Sequence, residues 1–307
     1  MIPTNTEIRF ETTTRCNYNC LFCARHKMTR EIDTMSFTQY RNILEKILEE
    51  TDQYETVCFT GMGDCSCDGT ILYKIEYAKK RGLKTIMVTN GELIDSEMFK
   101  LYEMAGLDSM RVSFHGGTAE GYSRAHGVPR RRFREVYRNI MEMLETRTSM
   151  EIRVTYAIMD GVNDKGIPEW KWMFKETDVQ EIWTAHNWAD CYVYRGIQEE
   201  RNNACGRITS GCLQILVDGR VSACCFDWDG ELGLGDLNTQ TLKEIFTSQK
   251  YMQLLDNHET GNHGETVCAN CDQRNREKAS ALLYSSNYDD KEERVKLSNT
   301  GYSKVGV

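Results

Sequence analysis

Residues 8–23 read IRFETTTRCNYNCLFC, a short β-like run followed at once by Cys16, Cys20 and Cys23. Three thiolates within eight residues can bind three irons of a cubane and leave the fourth iron without a protein ligand. Catalytic metal sites keep such an open position, whereas structural sites close it. A zinc ion here would need a fourth donor, for which His26 is the nearby candidate.

Outward from this loop, short β-like runs alternate with helical patterns as far as about residue 186. The candidate strands are 8–12, 56–60, 84–89, 109–114, 151–158 and 181–185. Phe37, Tyr40, Ile43, Leu44, Ile47 and Leu48 share one helical face behind a Ser36-x-x-Gln39 capping pattern. Phe133, Val136, Tyr137, Ile140, Met141 and Leu144 do the same further on. Six strands, each followed by a helix or crossover, predict an α/β fold: a parallel sheet curved into a partial (β/α)6 barrel. Chemistry in such folds sits on the loops after the strands, where the three cysteines lie.

The pattern changes near residue 196. A polar linker, 195–203, leads into Cys212-LQILV-Asp218-Gly219-RVSA-Cys224, whose Asp-Gly is a hairpin turn signal. A helix is predicted at about 241–256, ahead of Cys268-AN-Cys271. We read residues 1–195 as the barrel, 196–280 as a small cysteine-rich α+β domain, and 281–307 as a polar tail, partly disordered.

Composition narrows the function. The chain has no run of about 18 apolar residues and no basic-then-apolar N-terminus, which predicts a cytoplasmic protein without a membrane span. Cytosolic thiols stay reduced, so thirteen cysteines point to metal or clusters rather than disulfides. A net charge of −8 argues against a nucleic-acid partner and suits a cationic substrate. The basic run Arg130-Arg131-Arg132 with Arg134 reads as a solvated helix start.

The triplet Cys16-x3-Cys20-x2-Cys23, with Phe22 before its last cysteine, resembles the signature of the radical S-adenosylmethionine (SAM) superfamily. Further elements follow in the family's order. Gly61-Met62-Gly63-Asp64 stands where the family has Gly-Gly-Glu, with an acid one methylene shorter, so Asp64 is expected at the SAM amino group. Thr89-Asn90-Gly91 matches the family's Thr-Asn-Gly. The likeness further implies Ser113 near SAM and Arg153 at its carboxylate. It implies a [4Fe–4S] cluster whose open iron binds SAM, and a 5′-deoxyadenosyl radical that abstracts hydrogen from an unactivated C–H bond.

Cys205-x13-Gly219-x4-Cys224 and then Cys268-x2-Cys271 resemble the SPASM/Twitch branch. That likeness implies one auxiliary [4Fe–4S] cluster on Cys205, Cys224, Cys268 and Cys271. Cys212 is an alternative to Cys205, and Cys225 to Cys224. A structural zinc on four cysteines is the bland alternative.

Only 15 residues precede Cys16, too few for the leader-binding segment of peptide-modifying relatives. The expected substrate is therefore small and polar: an amino sugar, an aminocyclitol or another carbohydrate. Net oxidation, with the auxiliary cluster as electron acceptor, matches the layout of the family's aminocyclitol dehydrogenases. The alternatives are a peptide maturase, and an epimerase that uses Cys65, Cys67 or Cys191 as hydrogen donor. His186, Asn187 and His115 are candidate substrate contacts, and Cys58 a core residue. The resemblance implies a flavodoxin or ferredoxin electron donor. A zinc-stabilised scaffold is the rival outside enzymology.

Overall fold

The computed structural model describes residues 2–192, 197–276 and 282–286, and its centre is a run of six parallel strands. β1 (Glu7–Phe10), β2 (Thr56–Phe59), β3 (Lys84–Thr89), β4 (Ser109–Ser113), β5 (Glu151–Ile158) and β6 (Val179–Thr184) pair in chain order. The crossovers carry α1 (Phe37–Glu50), α2 (Ile71–Lys80), α3 (Ser96–Ala105), α4 (Ala119–His126), α5 (Arg131–Thr146) and α6 (Ile167–Met173). This is the expected partial barrel. The Ser36 hydroxyl caps α1 by accepting from the Gln39 N–H, and α1 buries Tyr40, Ile43, Leu44 and Ile47.

Parallel strands usually read as continuous apolar runs because helices cover both faces of their sheet. These strands alternate instead. Ile8, Phe10, Val57, Phe59, Met110, Val112, Ile152 and Val154 pack in the core. Between them, Arg9 stands beside Cys58, Arg111 beside Arg153, and Thr155 beside Glu181. Successive side chains point to opposite faces, so this second set lines a polar lumen.

The C-terminal unit is continuous with the barrel sheet. After α7 (Arg207–Ser210), β7 (Leu213–Ile215) pairs parallel with β1, and β8 (Arg220–Ser222) and β9 (Gly233–Asp236) extend the sheet antiparallel. The single helix expected at 241–256 is two, α8 (Leu242–Phe246) and α9 (Gln249–Thr260). Ser248 adopts an extended backbone and caps α9 through the Tyr251 N–H. Part of the expected tail is also ordered. β10 (Leu282–Ser285) pairs antiparallel with β6 and covers an edge that would otherwise present unpaired backbone groups. Residue 281 and residues 287–307, the rest of that tail, lie outside the described residues. Among the described residues no helix is long and apolar enough to cross a membrane.

Candidate functional site

The loop after β1 is wedged between two glycines. A Cβ on Gly63 would lie 2.3 Å from the Thr13 carbonyl oxygen, and one on Gly127 would lie 2.2 Å from that of Asn19. Gly127 also takes the left-handed φ of +65° that ends α4. Three other segments hold the loop in place. The Asp64 N–H donates to Arg15 O (2.9 Å) and the Leu21 N–H to Ala125 O (2.9 Å), while Asn90 Nδ2 donates to Asn17 Oδ1 (2.8 Å).

Cys16, Cys20 and Cys23 are all reduced and partly buried. Burial pushes the Cys16 thiol up to about 11. It raises Cys20 well above the thiol range, with Cys23 and Cys16 adding to the shift, and it raises Cys23 as well. Thiols this close resist ionising together, and cationic iron relieves that cost. The three sulfurs are not all within 4.8 Å of one another. Three thiolates on one short loop fit a cubane with one iron left open.

One neighbour of these sulfurs was not anticipated. His126 Nδ1 lies 3.4 Å from Cys20 Sγ, and its Nε2 accepts the His115 N–H (2.9 Å). The ring proton is thereby assigned to Nδ1, pointing at the sulfur. Burial lowers the His126 pKa well below its ordinary value, so the ring is neutral.

Asp64 uses its acceptors within the protein. It receives hydrogen bonds from the Ser66 N–H and hydroxyl, the Thr89 hydroxyl and the Asn90 N–H. Glu11, also not anticipated, is 1% exposed. It accepts from Arg30 (2.7 and 3.0 Å), the Met62 N–H (2.9 Å) and the Val217 N–H (3.1 Å). Arg30 continues to Trp228 O (2.9 Å). Glu11 therefore ties the first strand, the Gly61–Met62 turn and the C-terminal hairpin together. Its sequence signal was the alternation Glu7-Arg9-Glu11 on the lumen side of β1.

The cysteines of the C-terminal unit form two sets that meet at Cys224. Cys205 acts electrostatically on Cys224, Cys268 and Cys271. Burial pushes the Cys268 thiol up to about 12, with Cys205 adding to it. His258 and His263 offer ring nitrogens within 4.8 Å of Cys268 Sγ, and both His258 nitrogens are buried without a partner. Cys225 instead takes thiol hydrogen bonds from Cys212 and Cys224, which draw its pKa well below the ordinary range. Cys212 and Cys225 both act on Arg9 in the lumen.

Two neighbouring cavities open between the groups. The larger, about 240 Å³, is walled by Phe22, His115, Thr155, Trp183, His186 and Phe226, among others. The smaller, about 120 Å³, is lined by Gly61, Met62 and Trp188, and both include Arg9, Cys225 and Phe226. Trp188 Nε1 donates to Phe22 O (2.6 Å), closing one wall. Trp188, Ala189 and Asp190 all have left-handed φ, a strained run just beyond β6.

The remaining predicted residues are scattered. Ser113 ends β4 in register with Thr155. Arg153 is held deeper in the lumen by Glu151 (3.1 Å) and Glu181 (2.6 Å), away from the cysteine loop. Cys65 is buried and its thiol donates to Val88 O (3.0 Å). Cys67 lies against Asn17. Cys191 sits beside Lys27 and Cys23. Asn187 bonds to Asp272 and Asn270, so it anchors the Cys268-x2-Cys271 loop. His186 stacks on Phe226 at 3.8 Å, and burial beside Arg207 lowers its pKa to about 3.

Comparison with known families agrees with this geometry. The model of the radical SAM superfamily matches residues 10–170, more than half of the chain. The chain belongs to the radical SAM superfamily. A second model, an iron–sulfur cluster-binding SPASM domain, matches residues 205–272. The two domains imply a SAM-binding [4Fe–4S] cluster and auxiliary iron–sulfur binding. A probable GTP 3′,8-cyclase of Pyrobaculum aerophilum is 27% identical over 51% of this chain and 49% of its own. An AdoMet-dependent heme synthase of Nitratidesulfovibrio vulgaris is 28% identical over 41% of this chain and 34% of its own. The chain thus spans half or less of these curated relatives. Among solved structures, BtrN in complex with AdoMet and 2-DOIA superposes with a TM-score of 0.59 at 16% identity, covering 88% of this chain and 94% of that one. The enzyme anSMEcpe with bound AdoMet gives 0.64 at 14% identity, covering 96% of each. At these identities the likeness is one of fold.

Proposed function

We propose that this radical SAM enzyme abstracts a hydrogen atom from a small polar substrate held in the barrel lumen, with net two-electron oxidation as the outcome. The observation that carries this reading is the 240 Å³ cavity, walled on one side by Phe22 of the first cysteine loop and on the other by Cys225 and Phe226, next to Cys224. A substrate there lies between the two cysteine sets. The cavity is at or below the small end of ligand sites, which favours a small molecule over a peptide.

In this reading Cys16, Cys20 and Cys23 hold the cluster with the open iron, and Cys205, Cys224, Cys268 and Cys271 hold the auxiliary one. When bound, SAM and the clusters supply hydrogen-atom abstraction and an electron acceptor, fed by a ferredoxin- or flavodoxin-type donor. The chain's own residues bind, orient and exclude water. Gly61, Met62, Gly63, Asn90, Phe22 and Ser113 form the bed for SAM. Asp64, its oxygens taken by Ser66, Thr89 and Asn90, holds that bed in shape. Arg153, committed to Glu151 and Glu181, belongs to the lumen floor. His186 is neutral at physiological pH, so it serves as a ring wall and hydrogen-bonding group.

The test is anaerobic. Iron and sulfide are counted per chain, and 5′-deoxyadenosine is measured after adding SAM and dithionite, for the wild type and for the variant with Cys16, Cys20 and Cys23 all changed to alanine. About eight irons, falling to about four with loss of SAM cleavage, is the expected result. Cleavage that survives the triple substitution would overturn the assignment.

A further inference from the structure

Beyond α9 the chain folds back so that three donors from one short stretch, His258, His263 and Cys268, converge. Gly261, at a left-handed φ of +80°, ends the helix and makes the turn. A ring nitrogen of each histidine and Cys268 Sγ all lie within 4.8 Å of one another. Among the described residues no other group of three His, Cys, Asp or Glu side chains comes together so closely. All three are buried, His258 at 5%, His263 at 3% and Cys268 at 7% exposure. His263 Nε2 lies 2.8 Å from Asn203 O. A carbonyl only accepts, so the ring proton sits on Nε2 and Nδ1 keeps a lone pair, buried without a partner. Neither nitrogen of His258 has a partner, so in either neutral tautomer that ring buries a second bare lone pair. Buried polar atoms are seldom left unsatisfied, and a cation would satisfy both lone pairs at once.

Two imidazole nitrogens and a thiolate are donors for a borderline divalent ion, zinc above all. Histidines that bind metal characteristically donate their other N–H to a carbonyl or carboxylate, as His263 does to Asn203. We propose that His258, His263 and Cys268 form a site for a single Zn²⁺ ion, with water in the fourth position. It differs from the four-cysteine zinc site considered from the sequence, with which it shares only Cys268. Arg274 acts on both rings and Arg201 on His263, and the two guanidiniums are bonded to the Cys268 and Ala269 carbonyls. Their charge favours the thiolate over the thiol but repels a dication, so the ion is held less tightly than in a closed four-ligand site. In the proposed function Cys268 also belongs to the auxiliary cluster. Resting on that reading, ion and cluster exclude each other. The zinc ligands all lie within residues 258–268, so the ion can bind before the dispersed cluster ligands are gathered, and the cluster then displaces it.

The test uses the full chain with Cys205→Ser and Cys224→Ser, which keeps all three donors but lacks two cluster ligands, and with its first cluster reconstituted. About four irons per chain serve as the check on folding in every variant. Under anaerobic conditions the protein is titrated with Co²⁺, read by its ligand-field and thiolate charge-transfer bands, and with Zn²⁺ in competition with a chromophoric chelator. The expected result is one ion per chain in a tetrahedral site. Affinity should fall about tenfold or more in His258→Phe and in His263→Phe, and the charge-transfer band should vanish in Cys268→Ser. X-ray absorption of the bound zinc needs no histidine substitution and should show a mixed nitrogen–sulfur shell with one sulfur at about 2.3 Å. Absence of a stoichiometric ion would overturn the proposal. So would a shell of sulfur alone, or binding indifferent to both histidine substitutions, by giving the ion to cysteines only. The wild type reconstituted to about eight irons should take up no zinc. Zinc bound beside eight irons would remove Cys268 from the cluster set, a failure of the parent reading and not of the zinc site.

Discussion

The two cysteine sites are built in opposite ways. The first takes its sulfurs from eight consecutive residues, and the rest of the barrel shapes that loop through Gly63, Gly127 and Asn90. The second, in the proposed ligand set, gathers sulfurs from just before α7, just after β8 and the loop beyond α9, segments up to 66 residues apart (205 to 271). A local motif needs little of the fold to be recognised, whereas a dispersed one exists only once the sheet has formed. Failure should differ accordingly. Loss of the first site removes chemistry from a standing barrel, and loss of the second removes a staple that holds three segments.

The largest effect that would sharpen this contrast comes from Cys268→Ala with Cys271→Ala. We expect about half of the iron to be lost, substrate turnover to fall by roughly a hundredfold or more, and SAM cleavage to persist. We also expect a marked drop in Tm, since ligands that unite distant segments supply folding free energy. Iron analysis, 5′-deoxyadenosine yield and thermal melts on the same preparation would decide. A variant with an unchanged melting temperature would break the contrast, because the second site would then be as dispensable to the fold as the first.

A smaller effect separates the two cysteine groups of the C-terminal unit. Sequence spacing left Cys205 against Cys212, and Cys224 against Cys225, undecided. Cys205 acts electrostatically on Cys224, Cys268 and Cys271, whereas Cys212 and Cys225 act on Arg9, with Cys224 hydrogen-bonded to Cys225 between the two sets. We propose on this ground that Cys205 rather than Cys212, and Cys224 rather than Cys225, holds the second cluster. Cys212→Ser and Cys225→Ser should therefore keep the full iron content, while Cys205→Ser lowers it. Iron lost from the Cys212 variant and kept in the Cys205 variant would exchange their roles.

These cysteines also mark how far the sequence could be read. Short β-like runs located all six barrel strands to within a residue or two, because β1 to β5 carry an apolar residue at every second position over most of their length, while β6 (Val179–Thr184) was found from Ile182 and Trp183 without that period. β9 escaped because Gly233-Leu-Gly-Asp236 offers no such period, and β10 because its four residues lie in a polar segment. The first site was legible because its ligands are neighbours in sequence. Glu11, His126 and the lumen arginines were not, since a single charged residue in a strand or at a helix end announces nothing until its register is known. Arg111 and Arg207 lie 96 residues apart, and the pairing of β7 with β1 helps bring the C-terminal unit against the lumen.

The smallest effect tests a distant residue that touches a sulfur of the first site directly. His126 Nδ1–H points at Cys20 Sγ, and hydrogen bonds to cluster sulfurs are among the protein's controls on reduction potential. Reduction adds negative charge that the sulfurs share, so a donor there stabilises the reduced cluster more than the oxidised one. Removing it should make the cluster harder to reduce. A net hydrogen bond of about 0.5–1.5 kcal/mol corresponds to roughly 20–60 mV for one electron, so His126→Phe should lower the midpoint potential by about that much. The aromatic replacement keeps a ring beside His115, which now stacks on His126 at 4.9 Å, and beside Tyr122. The measurement is a redox titration followed by EPR in the variant whose second site has been removed, so that only one cluster contributes. A midpoint that does not move, with iron content intact, would reduce His126 to a packing residue. The first site would then be a local motif throughout, owing its tuning to the loop alone.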